Sequence, residues 1–179
     1  MHELLLNRSK FTNHLSSVCT RDERVLQVQK LLQTIENQIA NGVHTPATIT
    51  VIDDKEISDS SYNHRKNAIK IPYKAGAHGL YYYSSLIHED AHAKQTYGQQ
   101  DQAERTLLDI SRAIYPPEER IADDNNTPTN EYLYNYSELD AKCAEINAVN
   151  NAFTARIKAI PPDCDIIEKD EILKVMQDI

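Results

Sequence analysis

The sequence predicts an α+β domain in which a small, mostly antiparallel sheet packs on several helices. Apolar residues recur at helical spacing both before and after the middle of the chain. Between these helical segments lie one β-branched stretch and one hairpin pattern. Strands that are clustered, and do not alternate with helices, are typical of the α+β class. With 179 residues, the chain suits one domain, 1–179, with a buried core.

The N-terminal third predicts a helix followed by a strand. Residues 1–20 carry mixed signals and are expected to form a loosely attached helix or arm. From Arg21 to Ala40 the apolar residues recur every three or four positions, which indicates an amphipathic helix, and Asn41-Gly42 ends it. Residues 47–52 are rich in β-branched side chains, which predicts a strand.

Two short arms around a polar turn predict a hairpin. Ser61–Asn63 and Asn67–Ile71 flank the turn at 64–66. Pro72 ends the second arm, and a strand that ends at proline is more favourable at a sheet edge. Two interpretations of that edge stay open. An extended substrate peptide pairs with it, or it is an ordinary edge strand protected by lysines and proline.

The second half of the chain predicts helices and one polar loop. After Gly79 a single apolar stripe recurs at spacings of three and four and is expected to face the core. Its members are Leu80, Tyr83, Ile87 and Ala91. Further helices are predicted over Gln102–Ile114, about Tyr136–Ile160 and Ile166–Met176, with a polar loop at 118–130.

Composition excludes several classes of protein. The formal charge of −8 leaves no basic stripe for a nucleic-acid backbone. No apolar stretch has membrane-spanning length, and the N-terminal leucine run is too short for a signal peptide. The three cysteines form no CxxC pair, so neither a thiolate zinc site nor a disulfide framework is indicated. We therefore expect no nucleic-acid or membrane partner, and a protein that is cytoplasmic or exported without a signal peptide, including delivery into a host cell.

The motif with the clearest chemistry is His-Glu-Asp-Ala-His at 88–92, within a predicted helix. Because residues four apart lie on one helix face, His88 and His92 can bind one metal ion through both imidazoles. A zinc ion with three protein ligands keeps one position for water and lowers the pKa of that water. Glu89 lies beside the pair and is the candidate general base. The alternative is a solvated helix face with two unpaired histidines.

The third ligand separates the known arrangements of this motif. Metzincins require glycine at 95 and histidine at 98, but the chain has Gln95 and Gly98, which excludes that class. Gluzincins take a glutamate from a later helix. Glu138 fits, because Ala141 one turn further on would let two helices approach closely. Glu145, two turns from Glu138 on the same helix face, is the rival ligand.

Four segments between about 60 and 150 carry a family resemblance. They are Tyr62-Asn63, Ile69–Pro72, the aromatic and apolar lead-in Tyr81–Glu89, and Tyr136–Ala141. Together they resemble the zincin-like peptidase domain of ArdC-type anti-restriction proteins, and more distantly the ImmA/IrrE-type peptidases. The resemblance implies a zincin-like domain of the gluzincin type. His88 and His92 are then zinc ligands, Glu89 is the general base and Glu138 is the third ligand.

The chain departs from this family at three places. Asp90 stands where the family usually has an apolar residue, and Lys142 stands where a second acidic residue often follows. The family's N-terminal domain, which binds single-stranded DNA, has no counterpart before the matching segments. The resemblance therefore implies the chemistry of the family and not its anti-restriction role.

The function expected from these features is that of a zinc-dependent endopeptidase that cleaves a specific protein or peptide substrate, as a bacterial effector or mobile-element protein would. Tyr136, shortly before Glu138, is the candidate donor to the oxyanion, with structural packing as the alternative role. Two other functions stay open. One is a catalytically silent zincin-fold module that binds or regulates a partner, and the other is a zinc hydrolase of small molecules.

Overall fold

The computed structural model describes residues 8–16, 20–53, 55–98, 102–114 and 136–159. These residues form five helices and three strands, which confirms the α+β class. The helices are α1 (Arg8–Ser16), α2 (Arg21–Ile39), α3 (Gly79–Tyr97), α4 (Gln102–Ile114) and α5 (Tyr136–Ala159), and the strands are β1 (Thr48–Asp53), β2 (Ser61–Asn63) and β3 (Ala68–Tyr73).

Helix α2 begins at a capping box. The Thr20 hydroxyl accepts a hydrogen bond from the Glu23 N–H at 3.2 Å, and the Glu23 carboxylate accepts one from the Thr20 N–H at 3.0 Å. The helix ends at Ile39, and Gly42 supplies the positive φ of 76° that turns the chain towards β1. The helix predicted over 21–40 is therefore confirmed.

The sheet has the strand order β1-β3-β2. β2 and β3 form the predicted antiparallel hairpin, with Asn67 at φ 44° in its turn. β1, however, pairs with β3 in parallel along its whole length. The expectation of a mostly antiparallel sheet is therefore wrong. The reason is that the chain crosses from β1 to the far side of β3 to form β2, so that the second arm of the hairpin enters between them.

β3 is the central strand, so the expectation that the arm ending at Pro72 lies at a sheet edge is wrong. β2 covers only Ala68–Lys70 of β3. Pro72 lies beyond that covered part, where its missing N–H removes no hydrogen bond to β2. The strand at the far edge from β1 is β2.

Helix α2 covers the outer edge of β1 with side chains. Gln33 Oε1 accepts a hydrogen bond from the Ile49 N–H at 2.8 Å, and Gln29 Oε1 accepts one from the Val51 N–H at 3.0 Å. The two glutamines lie one turn apart on the same helix face. Backbone N–H groups that would otherwise attract another strand are therefore satisfied within the domain.

Helix α3 is buried on most of its circumference and contacts α2, β2 and β3. Of the expected core stripe, Tyr83, Ile87 and Ala91 are buried, whereas Leu80 is only half-buried. The side chains packed deepest in this helix belong to a neighbouring stripe. They are Tyr82, Leu86 and Ala93.

The N-terminal helix α1 is attached to this core through one aromatic side chain. Phe11 is 2% exposed, and its ring lies 5.8 Å from the ring of Tyr82. Tyr82 is fixed in turn by hydrogen bonds of 3.2 Å between its hydroxyl and the backbone N–H and C=O of Lys74. Helix α1 therefore adds to the core at the start of α3.

Contacts group residues 1–148 into one compact unit and 149–179 into a second, and each is described by itself. Of the second unit, the structure describes the end of α5. No helix within the described ranges is long and apolar enough to cross a membrane. The predicted polar loop at 118–130 and the predicted helix over Ile166–Met176 lie outside the described residues.

Candidate metal centre

Helix α3 places the two histidines of the motif one turn apart. The ring centroids of His88 and His92 are 5.1 Å apart, with the ring planes nearly perpendicular. Both side chains are largely buried, with 21% and 14% of their surface exposed. The regular i, i+4 spacing of the helix is what brings two ring nitrogens to the same side.

Glu138, on helix α5, completes the group. Its Oε2 atom lies 3.3 Å from Nε2 of His88 and 3.4 Å from Nε2 of His92. The three potential ligand atoms all lie within 4.8 Å of one another, so these residues could hold a metal ion. Ala141, one turn after Glu138, is fully buried. The sequence-predicted ligands His88, His92 and Glu138 are therefore brought together from two separate helices.

Glu145, the rival ligand, contacts the opposite nitrogen of His88. Its Oε2 atom lies 3.5 Å from His88 Nδ1 and accepts a hydrogen bond of 2.7 Å from Lys142 Nζ. A carboxylate on the remote nitrogen of a ligating histidine is a common support for a metal site, because it orients the ring. Lys142 therefore fixes Glu145 in place.

The protonation of His88 follows from these carboxylates. Burial disfavours the charged imidazolium, but hydrogen bonds to Glu138 and Glu145, with the charge of Glu89, outweigh it and raise the pKa of His88 to about 9. Burial opposes ionisation of Glu145 too, yet His88 and Lys142 lower its pKa overall. In the absence of a cation, a proton on His88 offsets part of the carboxylate charge at this site.

Gln95 fixes the tautomer of His92. The Gln95 amide nitrogen donates to the backbone C=O of Ser137 and to Asp140 Oδ2, each at 2.9 Å. Its amide oxygen, which can only accept, lies 3.0 Å from His92 Nδ1. His92 therefore carries a proton on Nδ1, which leaves Nε2, on the side where Glu138 lies, as the nitrogen that can bind a metal ion.

Glu89 is buried beside the two histidines and is 5% exposed. Its Oε1 atom accepts a hydrogen bond of 2.7 Å from the Ser60 hydroxyl, immediately before β2. Burial raises the pKa of Glu89, against the opposing effects of Ser60 and the two histidines. The group is therefore a stronger base than an exposed glutamate.

Tyr136 lines a small pocket on α3, α4 and α5. The other residues of that pocket are Lys94, Gln95, Glu104, Leu108 and Asp140. The side chain is half-buried there. The role of Tyr136 as a donor to an oxyanion stays a prediction, and its neighbours Tyr132 and Tyr134 lie outside the described residues.

Two supporting residues were missed from the sequence. Gln95 was used only to exclude the metzincin arrangement, although its position three residues after His92 places it on a neighbouring part of the helix face. Ser60 lies 29 residues before Glu89 in a polar stretch, and no local pattern connects the two. Within the part of the chain that the structure describes, a second group of buried ligand-type residues also exists, formed by Glu36, His44 and Asp90.

Comparisons with known proteins do not add a family. No protein-family model, characterised protein or solved structure matches the chain. The geometry of the site therefore carries the functional argument by itself.

Proposed function

We propose that the protein is a zinc-dependent endopeptidase of the gluzincin type that cleaves a specific protein or peptide substrate. The observation that carries this proposal is the approach of Glu138, from a separate helix, to Nε2 of both His88 and His92, at 3.3 and 3.4 Å. Two imidazoles and one carboxylate form a common ligand set of catalytic zinc sites. Mixed nitrogen and oxygen donors favour zinc over calcium or magnesium, which prefer oxygen alone.

A zinc ion at this site supplies Lewis-acid activation of water and of the scissile carbonyl. Glu89 takes the proton that the attacking water releases and passes it to the leaving amine. The Ser60 hydroxyl donates a hydrogen bond of 2.7 Å to Glu89 Oε1, so Oε2 is the oxygen that takes the proton. The raised pKa of Glu89, caused by burial, suits a group that must both accept and donate a proton near neutral pH.

The position of β2 favours a peptide substrate over a small molecule. Ser60, which contacts the candidate base, directly precedes this strand, and among the described residues β2 pairs with β3 on one side only. An extended peptide that pairs with the other side of β2 would have its backbone beside Glu89. A peptide substrate would therefore pair with β2, and not with the Asn67–Ile71 arm as the sequence suggested.

Glu89→Gln tests the proposed reaction. The amide keeps the size of the side chain but cannot accept the proton, so we expect cleavage to fall by about 10²- to 10⁴-fold while bound zinc is unchanged. New protein N-termini are compared in cells that produce the parent, Glu89→Gln or the matched control Glu56→Gln, an exposed glutamate. Zinc content is measured on the purified proteins.

A Glu89→Gln variant that produces the same new N-termini as the parent would contradict the role of Glu89 as the general base. New N-termini that are absent with the parent as well would favour the catalytically silent module, provided that zinc is bound. The control variant is expected to match the parent in both measurements.

A further inference from the structure

A second group of ligand-type side chains lies inside the domain, on the other flank of helix α3. Glu36 comes from α2, His44 from the turn after α2, and Asp90 from the middle of the histidine motif. One ligand atom of each lies within 4.8 Å of the other two. Glu36 is 0% exposed and Asp90 is 7% exposed, and the His44 side chain retains 1% of its exposure.

One polar atom of Glu36 and one of His44 are already hydrogen-bonded to the backbone. Glu36 Oε1 accepts a hydrogen bond from the Ala47 N–H at 2.8 Å. His44 Nδ1 lies 3.0 Å from the C=O of Thr45, and since a carbonyl oxygen only accepts, this nitrogen is the donor. Each hydrogen bond fixes one polar atom of its side chain, and the second polar atom, Glu36 Oε2 or His44 Nε2, is left without such a bond.

The other polar atom of Glu36 and of His44, together with one oxygen of Asp90, can donate an electron pair to a metal ion. Glu36 Oε2, His44 Nε2 and Asp90 Oδ1 are buried and make no hydrogen bond of acceptable geometry to any described residue. His44 Nε2 and Asp90 Oδ1 are 2.8 Å apart, but the contact is close without being aligned as a hydrogen bond. Buried polar atoms are nearly always paired, so three such atoms close together favour a cation or a proton between them.

The charge of the group points to a divalent ion. With His44 neutral, two buried carboxylates carry a charge of about −2, which costs too much to bury unless it is offset. Lys94 acts on Asp90 from an exposed position, where water screens it. A proton shared by Glu36 and Asp90 would remove one charge and leave the lone pair of His44 facing a carboxylate oxygen. A divalent cation satisfies all three atoms at once.

We propose that Glu36, His44 and Asp90 form a second metal site, which holds a structural zinc or similar divalent transition-metal ion. One nitrogen and two carboxylate donors suit zinc. Glu36 and the side chains of His44 and Asp90 are 0%, 1% and 10% exposed, whereas the side chains of His88 and His92 are 21% and 14% exposed, so this ion stabilises the fold and takes no part in cleavage. It joins α2 and the following turn to α3, at the position between the two histidines.

Zinc stoichiometry tests this site without any assay of activity. Chelator-treated protein is dialysed against zinc chloride, and zinc per chain is measured by mass spectrometry together with protein concentration. We expect about two ions per parent chain and about one in Glu36→Gln and in His44→Gln, because each variant loses one ligand. Asp22→Asn, an exposed acidic residue on the same helix as Glu36, is the matched control and should keep about two.

Glu138→Gln separates this proposal from the first one. It should also retain about one ion, and the double variant Glu36→Gln/Glu138→Gln should retain none. A parent chain that binds a single ion, lost in Glu138→Gln, would overturn the second site and leave the peptidase site standing. That result needs no folded Glu36 variant. Two ions that persist in both Glu36→Gln and His44→Gln would also overturn the second site, because the second ion would then lie elsewhere.

Discussion

Gln95 connects the two helices that carry the candidate metal ligands. Its amide oxygen orients His92, and its amide nitrogen bonds to Ser137 and Asp140 on either side of Glu138. One uncharged side chain therefore sets both the tautomer of a ligand and the position of the helix that supplies another. Residues that support a metal site in this way are often worth a factor of about 10–100 in affinity.

Gln95→Met should weaken zinc binding at the first site. Methionine fills a similar volume but cannot accept the hydrogen bond from His92 Nδ1 or donate to α5, so we expect zinc affinity to fall by about 10- to 100-fold with the fold retained. Competition with a chromophoric chelator measures the affinity. Gln102→Met, at an exposed position, is the control. Equal affinities in the parent and Gln95→Met would show that His92 is oriented by other contacts.

Glu36 makes the metal-free protein less stable as the pH rises. Burial, together with repulsion by Asp90, raises the pKa of Glu36 from 4.5 to about 8. Between these values the folded chain keeps a proton that the unfolded chain has released, so the free energy of unfolding falls with rising pH across the window. The raised pKa of His88, about 9 against 6.5, adds a further loss between about pH 6.5 and 9.

Thermal unfolding in the presence of a chelator checks this prediction. The parent should lose stability progressively from about pH 4.5 to 9, and Glu36→Gln should lose less over the same range, because the contribution of Glu36 is removed while that of His88 remains. Glu56→Gln, which changes an exposed glutamate, should follow the parent. Identical pH profiles for the parent and Glu36→Gln would contradict the raised pKa of Glu36.

Hydrogen bonds from glutamine side chains connect α2 to β1 in addition to apolar packing. Gln33 both accepts from the Ile49 N–H at 2.8 Å and donates to the Ala47 C=O at 2.9 Å. It thus does for the edge of β1 what a neighbouring strand would do. This edge is closed, and the sheet presents β2 on the side of the candidate catalytic residues.

Gln33→Leu should open that edge. Leucine keeps the apolar contact but leaves the Ile49 N–H without its acceptor, which should cost about 1–3 kcal/mol of unfolding free energy and promote association between chains. Urea denaturation and light scattering measure the two effects. Gln38→Leu, at an exposed position of the same helix, is the control. A Gln33→Leu chain that is as stable and as monodisperse as the control would contradict the proposed role of the side chain.

Local signals predicted the elements and failed on their arrangement. The bounds of α2 follow from its capping box and from the glycine after it, which act within a few residues. The hairpin of β2 and β3 follows from its own turn. The parallel pairing of β1 with β3 depends on a crossover between distant segments, and no residue of β1 by itself encodes which neighbour it takes.

The candidate site was predictable where its residues share a helix. His88, Glu89 and His92 follow from one turn of α3, and the small residue at Ala141 favoured Glu138 over Glu145 as the candidate ligand. The group formed by Glu36, His44 and Asp90 was missed, although Glu36 left a trace in the sequence. Glu36 lies one turn after buried Leu32, on the apolar face of α2, and a carboxylate on such a face needs a partner.

In the molecule as a whole, helix α3 carries ligand-type residues on two flanks. His88 and His92 face Glu138, whereas Asp90 faces Glu36 and His44. The compact unit 1–148 therefore combines a partly open group beside a candidate base with a closed group in its interior. An open site suits catalysis and a closed site suits structure, which is the division of roles that the two proposals assign.

The central claim is that Glu138 is the third ligand of a zinc ion bound by His88 and His92. Zinc bound per chain, measured side by side for the parent, Glu138→Gln and Glu145→Gln, tests it most directly. Glu138→Gln should bind about one ion fewer than the parent, because the amide that replaces the carboxylate is a poor ligand. Glu145→Gln should keep the full number of ions, at lower affinity. Zinc lost in Glu145→Gln and retained in Glu138→Gln would contradict the account.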